Sequence, residues 1–193
     1  MTAVRGAGAG RVAVELDGSP WRVLPAEAVA KAGLEVGTAV DRPRARRLRT
    51  ELRRAEALDV ALRSLRFRDH SRVSLVDRLA QRRVDGTAAA EAVATLERVG
   101  LLDDRRSART RAQALADRDA GDLLIRADLE RRGFVQEHID DAIDALEPEL
   151  ERVRSIVLRR GPGQRTLRRL AAKGFTADAL ERLIADAGAD ELG

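Results

Sequence analysis

Hydrophobic residues recur along this chain at two different periods. Near the start, RVAVEL and WRVL flank the turn signal DGSP, and this β-rich pattern predicts a hairpin over residues 11–24. The following PAEAVAKAGL predicts a short helix, with Pro25 in its first turn and Gly33 at its end. Trp21 reads as the apolar anchor of this small piece. Residues 1–9 carry neither period and predict a flexible tail. The GAGAG at 6–10 precedes a strand, whereas a dinucleotide-binding loop has to follow one and open a helix.

From Asp41 onward the period becomes helical. Asp41 predicts an N-cap and Pro43 an early-turn proline. Leu48, Leu52, Ala55, Leu58, Leu62 and Leu65 then recur at helical spacing, so one long helix runs from a basic segment into the first of a series of repeats. Leu79 and Val84, Leu129 and Phe134, Leu170 and Phe175 are three pairs, each five residues apart, at spacings of 50 and 41 residues. Counted from the second member, offset 5 holds Ala89, Ile139 and Leu180, and offset 8 holds Ala92, Ala142 and Leu183. Offset 9 holds Val93, Ile143 and Ile184, and offset 12 holds Leu96, Leu146 and Ala187. These offsets trace one face of an amphipathic helix, so each unit ends in the same element.

A second helix lies upstream in each unit, with Leu75 and Leu79, Ile125 and Leu129, Leu167 and Leu170 on its inner face. ALDVALRSL, SARTRAQALAD and LERVRSIVL supply a first. The breaks between them fall at DHS (69–71), DRDAGD (117–122) and GPGQ (161–164). Gly133 and Gly174 precede the phenylalanines, where a left-handed helix terminus favours glycine; Arg83 takes that place in the first unit, whose turn must differ or be strained.

The predicted fold is mostly α: tandem three-helix repeats forming an elongated curved array, with a small N-terminal β-hairpin-containing extension. The expected boundaries are a tail at 1–9, the β-rich extension at 10–41, a basic helical linker at 42–54, repeats at 55–102, 103–147 and 148–187, and a tail at 188–193. Such an array buries its core between neighbours and exposes an extended surface suited to binding.

Composition narrows the chemistry. At 193 residues and 44% hydrophobic the chain can bury a core, and with three Phe, one Trp and no Tyr that core rests on Leu, Val, Ile and Ala. Cysteine is absent, which excludes disulfide staples, thiolate nucleophiles and Cys-type zinc sites. No apolar run approaches the roughly 18 residues of a membrane span, and the N-terminus lacks the apolar stretch of a signal peptide, so a cytoplasmic protein with no membrane contact is expected. Lys31 and Lys173 are the only lysines beside many Arg, which biased codon usage explains more simply than selection for phosphate recognition.

The net charge of +4 conceals blocks. Residues 1–50 hold 9 basic and 5 acidic groups, leaving 27 of each in the remainder. Residues 42–54 carry seven Arg against Glu51, residues 137–151 carry seven acids and no Arg or Lys, and residues 152–173 carry eight basic groups and no acid. Such segregation steers an anionic ligand or a mixed-charge protein surface.

Arg165, Arg168 and Arg169 form an i, i+3, i+4 cluster while Leu167 and Leu170 point inward; Lys173 follows, and Arg159 and Arg160 adjoin it before GPGQ. A second candidate patch holds Arg72, Arg78, Arg82 and Arg83, interspersed with Asp69, Asp77 and Asp85. Arg131 and Arg132 take the equivalent place in the second unit, beside Asp128 and Glu130. A solvated face and a contact surface are both open for these residues, and the stretch without acids favours contact in the last unit. The acidic face of Glu137, Asp140, Asp141 and Asp144 either meets a basic partner or pairs within the array. His138 and Asp141 share a helix face but lack a third ligand, and His70 reads as a loop or cap residue, so neither metal nor cofactor is expected. GPGQ lacks the Lys-Ser/Thr sequel of a P-loop, and no spaced nucleophile and base are visible, so an enzyme is not expected.

Four segments, SRVSLVDRL (71–79), GLLDD (100–104), ADLERRGF (127–134) and RRLAAKGF (168–175), resemble the RecX family of bacterial RecA modulators over about residues 55–187. Ser107 and Ser74 depart from that family's pattern, which usually has an aromatic and an acid there. The resemblance implies a monomeric, non-enzymatic inhibitor that lies in the groove of the RecA–single-stranded-DNA filament. It would bridge protomers and suppress filament growth, ATP hydrolysis, strand exchange and repressor self-cleavage. Weak contact with single- or double-stranded DNA stands beside it as a second partner. A helical-repeat nucleic-acid-binding protein acting independently of RecA is the alternative.

Overall fold

The computed structural model describes residues 1–67 and 70–190, the last four by backbone alone. The chain divides into two compact units, Met1–Arg68 with Leu75–Leu101, and Asp69–Ser74 with Leu102–Gly193.

The first unit opens with three antiparallel strands, β1 (Ala3–Gly6), β2 (Arg11–Leu16) and β3 (Ser19–Pro25), in that order across the sheet. The expected hairpin is therefore β2–β3, closed by Asp17 and Gly18, both at positive φ as a two-residue primed turn requires. The expected tail is corrected: residues 3–6 are a strand paired with β2, Val4 opposite Val14. GAGAG supplies the turn between them, with Gly8, Ala9 and Gly10 at positive φ and the Ala7 N–H donating to the Arg11 carbonyl at 2.9 Å. Trp21 is also corrected. It stands 40% exposed beside Arg22, because alternate residues of β3 face opposite ways and Leu24, three positions on, takes the inner side.

Helix α1 (Ala26–Lys31) follows Pro25, which sits one position before the helix, and ends at Gly33 with φ +67°. Then α2 runs unbroken over Arg42–Phe67, started by the Asp41 carboxylate, which accepts from the Arg44 N–H at 2.9 Å. Its first half closes the sheet: Leu48 and Leu52 pack with Met1, Val14, Leu24, Val29 and Leu34. Its second half turns Ala57 to Ala88 and Ala92 of α4 (Gly86–Arg98), small residues that let two helices approach closely. Between them in sequence lies α3 (Arg72–Gln81), with Leu75 and Leu79 buried.

From Leu102 on, the described residues of the second unit form α5 (Asp104–Ala116), α6 (Asp122–Arg131), α7 (Gln136–Asp144), α8 (Glu149–Arg160), α9 (Gln164–Ala172) and α10 (Ala177–Asp190). Ala108 and Ala112 of α5 meet Ile139 and Ala142 of α7 around Ile125, Leu129 and Phe134. Val153 and Ile156 of α8 meet Ala179, Leu180 and Leu183 of α10 around Leu170 and Phe175. Each set pairs the first and third helices of a repeat over its second. The expected apolar face holds except at its last members. Ile184 is 54% exposed at the edge of the stripe that α10 presents to α8, and the Ala187 side chain lies outside the described residues. The tail expected from 188 starts inside α10.

The turn after each second helix is the same in all three repeats. Val84, Phe134 and Phe175 donate their N–H to the carbonyls of Leu79, Leu129 and Leu170 at 3.1, 3.2 and 3.2 Å. The preceding residue is left-handed each time, with φ +58° at Arg83, +78° at Gly133 and +80° at Gly174. Arg83 thus keeps the geometry and bears the strain of a Cβ there.

Candidate partner-binding surface

The third repeat places its basic residues unequally. With Leu170 buried, Arg165, Arg168 and Arg169 project outward, and among the described residues none of the three has an ion pair; Arg168 reaches only the Gln164 side-chain oxygen, at 3.4 Å. Arg159 and Arg160 both engage Asp119, at 2.9 and 3.2 Å. Lys173 is half-buried and donates to the Arg118 carbonyl at 3.4 Å. Arg154 pairs with Glu151 and Asp186. The block without acids is thus interrupted in space by acids from other elements, and the open cations reduce to one turn of α9.

Arg152 leaves the surface altogether. Its guanidinium is buried, pairs with Asp122, and donates to the carbonyls of Glu147 and Ala120 at 3.0 and 2.9 Å. Nearby, Glu149 accepts from the Asp122 N–H at 2.7 Å through one oxygen and from the Thr176 N–H at 3.2 Å through the other. Burial, the largest influence, raises the Asp122 carboxyl above its ordinary value although Arg152 opposes it. These residues lock α6 and α8 to the Gly174 turn, where backbone meets backbone. Gly121 donates to the Lys173 carbonyl at 2.9 Å, Leu123 donates to the Gly174 carbonyl at 3.0 Å, and a Cβ on Gly121 would collide with the Gly174 and Phe175 main chain.

The same device precedes it by 50 residues. The Asp104 carboxylate accepts from the Arg72 N–H at 2.8 Å, as Glu149 does from Asp122, and Ser71 donates its hydroxyl to the Arg132 carbonyl at 2.6 Å beside the Gly133 turn. Ser71 also caps α3, accepting from the Ser74 N–H at 3.1 Å, so the DHS break ends in a cap at Ser71; Asp69 lies outside the described residues. Buried His70 lies 3.0 Å from the Ser74 hydroxyl through Nδ1. Sequence reasoning passed over Ser71, Gly121, Glu149 and Arg152, although the 50-residue spacing already aligns Ser71 with Gly121.

The remaining candidates divide. Arg131 and Arg132 are held by Asp128, at 3.5 and 2.8 Å, together with Arg111 at 2.8 Å; Arg111 first, then Arg132, keep the Asp128 carboxyl below its ordinary value. Arg72 is exposed at the start of α3. Arg82 and Arg83 are exposed with no ion pair among the described residues. The acidic face is partly neutralised from within, Asp140 by Arg126 at 2.7 Å and Asp141 by Arg105. Among the described residues no three His, Asp or Glu side chains converge as metal ligands would, and no helix is long and apolar enough to cross a membrane.

No family model matches the chain. Regulatory protein RecX of Stenotrophomonas maltophilia is 35% identical over 125 residues, covering 60% of this chain and 77% of that protein. Regulatory protein RecX of Halorhodospira halophila is 32% identical over 143 residues, covering 69% and 89%. The chain belongs to the RecX family. It is accordingly grouped with regulatory proteins, and the solved structures show the same fold. A crystal structure of regulatory protein RecX aligns with 93% of this chain and 96% of its own at a TM-score of 0.77 and 22% identity. RecX from Lactobacillus salivarius aligns with 69% of this chain and 96% of its own at 0.58 and 18%.

Proposed function

We propose that this RecX-family chain is a non-enzymatic inhibitor of a RecA recombinase, binding in the groove of the RecA–single-stranded-DNA filament and suppressing its growth, ATP hydrolysis and strand exchange. The observation that carries the reading is the turn of α9 on which Arg165, Arg168 and Arg169 stand without acidic partners. Cations already neutralised by neighbours gain little from a new anion, whereas unpaired guanidiniums on a rigid helix engage carboxylate or phosphate bidentately. A filament of protein and DNA offers both. Docking of this kind needs no bond to be made or broken.

The test is the rate of single-stranded-DNA-dependent ATP hydrolysis by the cognate RecA, titrated with this protein. The expected result is a fall that is complete at or below equimolar protein. An unchanged rate at saturating protein, with folding established by circular dichroism, overturns the reading.

A further inference from the structure

The three phenylalanines have different fates. Phe134 and Phe175 occupy equivalent places in the repeat and are buried, while Phe67, at the end of α2, is 89% exposed. An aromatic ring left in water at the end of a rigid helix forgoes the burial that its two counterparts obtain. Its surroundings are cationic. A cleft of about 180 Å³ in the first unit is lined by Val60, Arg63, Ser64 and Phe67 from α2, by Arg78 from α3 and by Arg82 from the turn after it. Arg82, in the turn that closes α3, donates its N–H to the Arg78 carbonyl at 3.2 Å, and neither side chain has an ion pair among the described residues. Arg63 pairs with Asp59, but both side chains are more than half exposed, so that pair is screened and readily exchanged for another anion. Among the described residues, no acid lines the cleft.

We propose that this cleft is a subsite for single-stranded nucleic acid, in which an unpaired base stacks on the Phe67 ring and Arg78, Arg82 and Arg63 hold the flanking phosphates. A flat ring open to solvent and ringed by guanidiniums matches the alternation of base and phosphate along a single strand. A duplex keeps its base faces stacked on each other and cannot use the ring. An acidic peptide satisfies the arginines and leaves the ring without a flat partner. The site is built on α2, α3 and the turn after α3, and stands apart from the recombinase reading.

Fluorescence anisotropy of a labelled oligothymidylate, roughly 15 nucleotides long to span one such site, tests it with the full-length chain and no recombinase present. The expected result is binding that weakens roughly tenfold in Phe67→Ala and is retained in Phe67→Trp. In the double variant Arg78→Ala with Arg82→Ala, affinity and the slope of log affinity against log salt both fall. Because Phe67 is exposed, its truncation leaves the thermal melt unchanged, which circular dichroism checks. Wild-type affinity in Phe67→Ala, equal affinity for a duplex of the same length, displacement by polyglutamate that is insensitive to Phe67, or no binding by the wild-type chain each overturns the proposal. Since RecA is absent from this assay, none of these results decides the ATPase test, and that test does not decide this one.

Discussion

The Arg152 guanidinium lies 5.8 Å from the centroid of the Phe175 ring while ion-pairing with Asp122, so an arginine inside a strongly basic stretch is a polar core residue of the second unit. Two residues on, Arg154 makes its pairs at the surface. Removing one partner of a buried pair leaves the other charge uncompensated, so Arg152→Ala is expected to lower the unfolding free energy by about 3–5 kcal/mol. Arg154→Ala is expected to cost less than about 1 kcal/mol. Urea unfolding followed by circular dichroism separates them, and equal midpoints would remove Arg152 from the core. Arg152 is for this reason unsuited as a neutral control in binding experiments.

The shared turn makes a paired test. Arg83→Gly relieves a left-handed side-chain conformation and is expected to stabilise the first unit by about 1 kcal/mol. Gly174→Ala imposes the same strain of about 1–2 kcal/mol. It also sets a Cβ 2.6 Å from the Leu124 nitrogen, so its cost exceeds the strain alone. Thermal melts that move in opposite directions are the expected outcome, and a destabilised Arg83→Gly chain contradicts the equivalence of the turns.

Binding to preformed RecA filaments should be weakened by joint replacement of Arg165, Arg168 and Arg169 with Ala, with the fold intact because all three side chains are exposed. If the contacts are to phosphate on single-stranded DNA, the salt slope falls by roughly 0.7 for each one lost. Arg159→Ala with Arg160→Ala is expected to lose less, since Asp119 already neutralises part of that charge. Filament pull-down at several salt concentrations reads both. Wild-type affinity and slope in the triple variant would leave the α9 arginines as a solvated face.

Asp128 gives a pH signature. Its carboxyl is held below the ordinary value of 3.8 by Arg111 and Arg132, so its stabilisation is fully present above that value and is lost as pH falls through the lower, folded-state value. Asp128→Asn is expected to cost about 1–3 kcal/mol at neutral pH through the weakened charge-assisted hydrogen bonds. The gap to wild type should narrow as the pH drops below 3.8. Denaturant midpoints measured from pH 7 down to about pH 3 follow it; a gap constant across that range contradicts the role given to the two arginines.

The three-helix periodicity, the breaks between helices, the Asp41 cap and the αL turns were legible in the sequence, because each depends on residues within a few positions of one another. Amphipathic spacing commits a face to burial whatever covers it, which is why Leu79, Leu129 and Leu170 stood out as equivalents. The first strand was not legible, since AVRG is too short to show alternation and becomes a strand only when β2 offers it hydrogen bonds. The charge surface was legible only in part. A run of arginines reports its neighbours along the chain, but the field of a side chain is set by acids from any element within a few ångströms. Folding brings Asp119 to Arg159 and Arg160, Asp128 to Arg111, and Asp122 to Arg152. The outward direction of Arg165, Arg168 and Arg169 follows from the inward Leu167 and Leu170. Which guanidiniums are spent within the molecule, and that these three are left without acidic partners, emerged only from the packed chain, because ion pairing follows distance in space and not in sequence.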